Sequence, residues 1–186
     1  MSFVQAEGIG GAIAQPPPAG PDALTRARDQ PGGGPESMRA VLQRVSQAAI
    51  DVGSERIAEM GAGILALVAV GGDDTEEDAV KLARKIVQLR VFNDDSMRMN
   101  HSLLDVGGSL AVVSQFTLFG DCRNGRRPFF GEAARPEHAA PLVERVTEEA
   151  RRLGCPVVTG RFQAQMDVSM VNDGPVTLLV DTRNSF

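Results

Sequence analysis

The chain has 186 residues, 42% hydrophobic and 23% charged, which suits one soluble globular domain with a proper core and leaves little room for a second. A net charge of −5 provides no overall field for drawing in nucleic acid, and eight Phe with no Trp or Tyr are too few for a platform that stacks single-stranded bases. Cys122 and Cys155 form no CxxC pair or metal spacing, the longest apolar run (64–70) is too short to span a bilayer, and the N-terminus lacks a basic signal segment, so a cytoplasmic protein with reduced thiols is expected.

Residues 1–37 differ from the rest, with six of the eleven prolines and seven of the twenty glycines. No apolar period runs through them, so they are read as a disordered extension, or as the product of a start codon set upstream of Met38. Residues 38–186 form the domain. Residues 39–52 alternate loosely and predict a long strand, Gly53-Ser54 a turn, and 56–60 a short return strand. Residues 63–70 are continuously apolar, as in a strand buried on both faces, and Gly71-Gly72 ends them.

The acidic run 73–78, with Thr75 or Asp74 as N-cap, opens a helix whose Ala79, Leu82, Ala83, Ile86 and Leu89 share one face. Val91-Phe92 predicts a short strand and 93–96 a turn. Residues 109–119 read as the strongest strand of the chain, with Leu110, Val112, Ser114, Phe116 and Leu118 on one face. A second helix starts at Pro136 and runs to about Leu153, stopped by Gly154 and Pro156. Residues 157–159, 166–171 and 176–181 are closing strands. Strands outnumber helices and the two amphipathic helices interrupt them, so the fold class is α+β, one β-rich domain with a barrel-like sheet.

Two stretches carry candidate chemistry. The first is Ser114-Gln115-Phe116-Thr117, where an apolar strand turns polar. A nucleophilic Ser114 or Thr117 needs a general base, and neither His101 nor His138 has an acidic partner in a recognisable arrangement. Metal ligation and a phosphate-binding glycine loop are equally unsupported. The second is Asn172-Asp173-Gly174-Pro175, which by itself reads as a hairpin turn between 166–171 and 176–181. Pro175 is out of place there, because it abuts a strand it cannot pair. A rigid pair of Gly174 and Pro175 carbonyls is the alternative reading. Between the two stretches, Arg123, Arg126 and Arg127 around Gly125 are either a phosphate clamp or a solvated basic loop. Seventeen of the nineteen basic residues are Arg, which GC-biased coding explains more readily than phosphate recognition does.

Both stretches together, with 38–45, 104–108, Arg127-Pro128, 159–162 and 171–177, resemble the Gly-cisPro type of D-aminoacyl-tRNA deacylase found in bacteria and eukaryotes, over Met38 to about Asp181. The resemblance implies a homodimeric esterase that needs no cofactor. It cleaves D-amino acids, or glycine mischarged on tRNA(Ala), from the terminal adenosine of tRNA. It also implies that Ser114, Gln115, Phe116 and Thr117 of one subunit face Gly174 and Pro175 of the other. Arg44 would hold that loop, with the Gly174–Pro175 peptide cis, and Phe130 to Ala134 would line the pocket. The Phe116 N–H would stabilise an oxyanion while the ribose 2′-hydroxyl assists water. Phe119 and Phe129 depart from the residues frequent in the family. The competing readings are an inactive dimeric RNA-binding module and an esterase with a Ser114 or Thr117 nucleophile.

Overall fold

The computed structural model describes residues 37–183; the extension expected over 1–37 lies outside them apart from Ser37, which is buried. Its centre is the 14-residue strand β1 (Arg39–Val52). One edge of β1 is taken along nearly its whole length by antiparallel β8 (Asp167–Asp181), from Arg39 opposite Asp181 to Asp51 opposite Asp167. The other edge is shared by two successive strands that run in the same direction. β3 (Gly63–Ala69) pairs with the first half of β1 and β2 (Glu55–Met60) with the second.

Beyond β3 the pairing turns parallel. β6 (Ser109–Ser114) lies beside β3, and β7 (Val157–Thr159) beside β6. Parallel neighbours need crossovers, and the two helices belong to them: α1 (Glu76–Gln88) between β3 and β6, and α2 (Pro136–Arg152) between β6 and β7. Gly63 is required where this pairing starts, because a Cβ there would sit 1.9 Å from the Ser109 carbonyl oxygen.

The uninterrupted apolar run of β3 reflects two cores, one on each face. Ile64, Ala66 and Val68 meet Ala79, Leu82, Ala83 and Ile86 of α1 and Val146 and Ala150 of α2. On the other face Leu65, with Ala111 and Val113 of β6, packs with Val45, Ala48 and Ile50 of β1. Each fully buried Leu or Ile contributes roughly 1.5–3 kcal/mol. α1 opens on a capping box in which the Thr75 hydroxyl accepts from the Asp78 N–H and the Asp78 carboxylate accepts from the Thr75 N–H. Glu149 of α2 ties the helices together, accepting from Arg84 of α1 at 2.9 Å and from Arg152 at 2.7 Å. These hydrogen bonds hold its pKa down at about 2.

Two expectations need correction. The strand read over 109–119 ends at Ser114, and Phe116–Phe119 is a 3-10 turn. β3 offers its last parallel partner at Val68, opposite Ser114, and the Val68 carbonyl takes the Gln115 N–H at 2.7 Å. Without a further partner strand the chain curls, and period-two alternation stops. The hairpin expected at 172–175 is also absent, because 167–181 is one strand that pairs with β1 on both sides of the break at 173–176. A short strand missed in the sequence, β5 (Met99–His101), pairs with β4 (Phe92–Asn93).

Candidate active site

A cavity of about 500 Å³ opens at the C-terminal ends of the parallel strands β3 and β6, where strand ends and crossover loops leave the sheet uncovered. Val68, Ala69, Val70, Val113 and Ser114 form its floor; Ala133, Ala134, Pro136, Ala139 and Val143 of α2 and the loop before it form one wall. Residues 162–166 form the other. Gln115, Phe116 and Thr117 sit at the mouth, so four predicted catalytic residues and Ala134 share one cavity. Phe130 backs it from outside, its ring meeting that of Phe116 edge-on at 5.2 Å.

Gln115 precedes a 3-10 turn closed by Leu118 N–H to the Gln115 carbonyl (3.2 Å) and Gly120 N–H to the Thr117 carbonyl (2.9 Å). The first N–H groups of such a turn have no intrahelical acceptor. Phe116 N–H and Thr117 N–H accordingly pair with no carbonyl among the described residues, and no side chain caps them. The Gln115 side-chain amide donates to the Thr117 hydroxyl oxygen. Neither Ser114 nor Thr117 has a basic side chain as partner. His138 lies on α2 with Nε2 at 2.9 Å from the Asp74 carbonyl oxygen, and His101 is exposed on β5. No cluster of His, Cys, Asp or Glu among the described residues is placed to hold a metal.

Arg44, Gly174 and Pro175 are elsewhere, and none of them lines the cavity. Gln43 of β1 faces Thr177 and Val45 faces Asn172, so four residues, Asp173 to Val176, stand opposite Arg44 alone. They bulge out of the sheet. Arg44, buried, closes the base of the bulge: Nε donates to the Asp173 carbonyl (3.3 Å) and lies 3.0 Å from its carboxylate, and Nη1 donates to the Val91 carbonyl. Gly174 has φ +117°, and a Cβ there would meet Arg44 Nη2 and Val176 Cγ2 at 2.8 Å. The Gly174–Pro175 peptide is cis, and both residues are exposed.

The turn at the cavity rim rests on a second buried charge. Asp74 accepts from the Gly71 N–H at 2.6 Å, Gly71 is bridged to Ala133, and Ala134 N–H donates to the Val70 carbonyl at 2.8 Å. Burial, with the Asp78 charge adding to it, pushes Asp74 up to about 6 against the Gly71 hydrogen bond and the Arg183 charge.

Sequence reasoning missed residues 162–166, 68–70 and the α2 wall. Their signal is weak: Phe162 follows Gly160 with no period, and Val68 meets Ser114 only through a parallel pairing.

The sequence model of the D-Tyr-tRNA(Tyr) deacylase family matches residues 41–181. Among curated relatives, the D-aminoacyl-tRNA deacylase of Desulforudis audaxviator is 53% identical over 149 residues, covering 80% of this chain and 100% of that protein. That of Thermus aquaticus is 54% identical over 145 residues, covering 78% and 95%. Among solved structures, the c-Myc DNA unwinding element binding protein is 36% identical with a TM-score of 0.72, over 76% of this chain and 97% of that one. A probable eukaryotic D-amino acid tRNA deacylase, 18% identical, shares the fold at a TM-score of 0.67 over 78% and 99%. With the match running from β1 to the end of β8, the chain belongs to the D-Tyr-tRNA(Tyr) deacylase family.

Proposed function

We propose that this protein is a hydrolase that cleaves the ester between a D-amino acid and the terminal adenosine of tRNA, releasing the free D-amino acid and tRNA. The observation that carries the reading is the 3-10 turn at the cavity mouth. Two unpaired backbone N–H groups, Phe116 and Thr117, belong to an apolar cavity whose lining includes no titratable side chain. Fixed donors of this kind stabilise the oxyanion formed when water adds to an ester carbonyl, an effect of about 3–4 kcal/mol per donor in other esterases. The acyl C–O bond then breaks and the ribose oxygen leaves as a hydroxyl. The proton relay is assigned to the ribose 2′-hydroxyl, since no side chain here is placed to serve.

Selection of chirality is assigned to Gly174 and Pro175 of a second copy. Their exposed bulge lies off its own chain's cavity, so a homodimer that inserts it into the partner's cavity would complete both sites. Main-chain carbonyls can accept an α-ammonium while leaving no space for an L side chain. Glycine has no side chain to exclude, so glycyl-tRNA(Ala) should also be hydrolysed. A tRNA substrate fits a cytoplasmic location.

The test is incubation with D-Tyr-tRNA and L-Tyr-tRNA. Release of tyrosine from the D form alone is expected, and release from neither overturns the assignment. Thr117→Ala and Ser114→Ala should keep deacylation within about tenfold, since a lost neutral hydrogen bond is worth about 0.5–1.5 kcal/mol. Loss of three or more decades with the fold intact would favour a side-chain nucleophile.

A further inference from the structure

Among the described residues, ten arginines form ion pairs and a further one, Arg90, reaches Asn100. Only Arg98, Arg126, Arg127 and Arg135 have no side-chain hydrogen bond or ion pair within the described chain. All four are exposed. In a protein of net charge −5 that pairs most of its guanidinium groups, three of the four unpaired ones fall in the segment between the lining residues Thr117 and Pro136.

Arg126 and Arg127 lie on the loop that joins the 3-10 turn at the cavity mouth to the cavity wall. Its base is closed by two hydrogen bonds, Asp121 N–H to the Phe129 carbonyl (2.7 Å) and Phe129 N–H to the Asp121 carbonyl (2.9 Å). Asp121 also grips Arg123, accepting from Nε and Nη2 at 2.9 Å each, which holds its pKa down at about 2. One arginine therefore braces the loop and is neutralised, while the two beyond Gly125 are left free. Arg135 is the N-cap of α2, directly between the lining residues Ala134 and Pro136. The carboxylates nearest in sequence do not neutralise them. Asp121 is spent on Arg123, Glu132 lies 3.8 Å from Arg39, and Glu137 of the first turn of α2 pairs with no arginine.

Unpaired guanidinium groups on the loop that leads from Thr117 to the α2 wall, and between two residues that line the cavity, suit a chain of phosphates passing along that rim. We infer that Arg126, Arg127 and Arg135 form a phosphate-binding rim for the single-stranded 3′ end of tRNA, holding the backbone behind the terminal aminoacyl-adenosine. The inference rests on the deacylase reading above and adds to it how the nucleic acid beyond the last nucleoside is held. Phosphate recognition of this kind carries no base sequence, which fits a substrate presented by many tRNAs.

The test compares wild type, the triple variant R126A/R127A/R135A and its lysine counterpart R126K/R127K/R135K. For the alanine variant, kcat/KM on D-Tyr-tRNA should fall at least tenfold at low salt, mainly through KM. The slope of log(kcat/KM) against log salt should flatten by about 2, near 0.7 for each single-strand phosphate that the variant no longer neutralises. Hydrolysis of D-tyrosyl-adenosine, which has no phosphate, should change less than twofold, and the lysine variant should keep most of the salt slope. An equal fall on both substrates, or no fall on either, overturns the rim. Fluorescence anisotropy with uncharged tRNA keeps this separate from the catalytic reading. If wild type releases no amino acid, the deacylase assignment fails, while a salt slope unchanged by the alanine variant still overturns the rim.

Discussion

The cavity rim and the Gly-Pro bulge each lean on one buried charge, and the two charges are treated differently. Arg44, its side chain 7% exposed, has a carboxylate at 3.0 Å and two carbonyl acceptors. Asp74, its side chain 0% exposed, has the Gly71 N–H on one oxygen and no hydrogen bond on the other, with Arg183 only at 3.9 Å. A guanidinium spreads several donors over a fixed fork and can be satisfied by backbone alone, whereas a buried carboxylate short of donors drifts toward its neutral form. The bulge should therefore be held the same way across the neutral pH range, and the rim should loosen as Asp74 ionises.

The sharpest break in this comparison is Gly174→Ala. At φ +117° an added Cβ meets Arg44 and Val176 at 2.8 Å, so the bulge must move. A displacement of the order of 1 Å in a positioning group costs roughly 100-fold in rate, and deacylation of D-Tyr-tRNA should fall by at least that with the far-ultraviolet spectrum unchanged. Phe116→Pro deletes one of the unpaired N–H donors in the cavity. If the two sites are completed across subunits, co-expressed Gly174→Ala and Phe116→Pro chains should recover activity that neither shows alone, and absence of recovery places both sites in one chain.

Next in size is Arg44→Ala, which strands the Val91 carbonyl and the Asp173 carboxylate. A loss of about 3 kcal/mol in urea unfolding is expected. Arg44→Lys should recover part of it, because an ammonium reaches one acceptor where the fork reaches several.

Asp74→Asn tests the rim. The folded carboxyl titrates near 6 against 3.8 for the ordinary group, so the folded state binds more protons than the unfolded one between those values. Its favourable contribution is complete below about pH 4 and lost as pH rises through 6. Relative to wild type, Asp74→Asn should gain on the order of 2 kcal/mol in stability between pH 4 and pH 7, since one unit is about 1.4 kcal/mol. A parallel pair of stability curves would show that Asp74 is ionised without penalty.

The smallest expected effect is at Gln163, on the cavity wall at φ +60°. Glycine carries no left-handed penalty, so Gln163→Gly should raise stability by about 0.5–1 kcal/mol once its greater unfolded-state entropy is counted.

Most elements were legible because their determinants are local. The Thr75 cap, the acidic first turn and the period of Ala79, Leu82, Ala83 and Ile86 specify α1 without reference to the rest of the chain. The strand 39–52 and the helix from Pro136 were read for the same reason. The candidate residues Ser114, Gln115, Phe116 and Thr117 were found, but not their geometry. Ser114 and Phe116 read as successive inward residues of a strand, and whether a strand continues depends on a neighbour whose length is written 46 residues earlier, at Val68.

The same distinction separates what the sequence alone determined from what tertiary structure decided. Composition, capping and periodicity determined one α+β domain, its helices, and two backbone-rich motifs with no side-chain base beside them. Tertiary pairing decided that the Gly-Pro stretch is a bulge opposite Arg44 rather than a hairpin, because 172 and 177 both answer to β1 and not to each other. It also decided that Phe116 and Thr117 present free N–H groups, and that Arg126, Arg127 and Arg135 are left unpaired beside residues of the cavity wall while most other guanidinium groups are spent on ion pairs. Unpaired groups are defined by what fails to approach them, and no stretch of sequence contains that information.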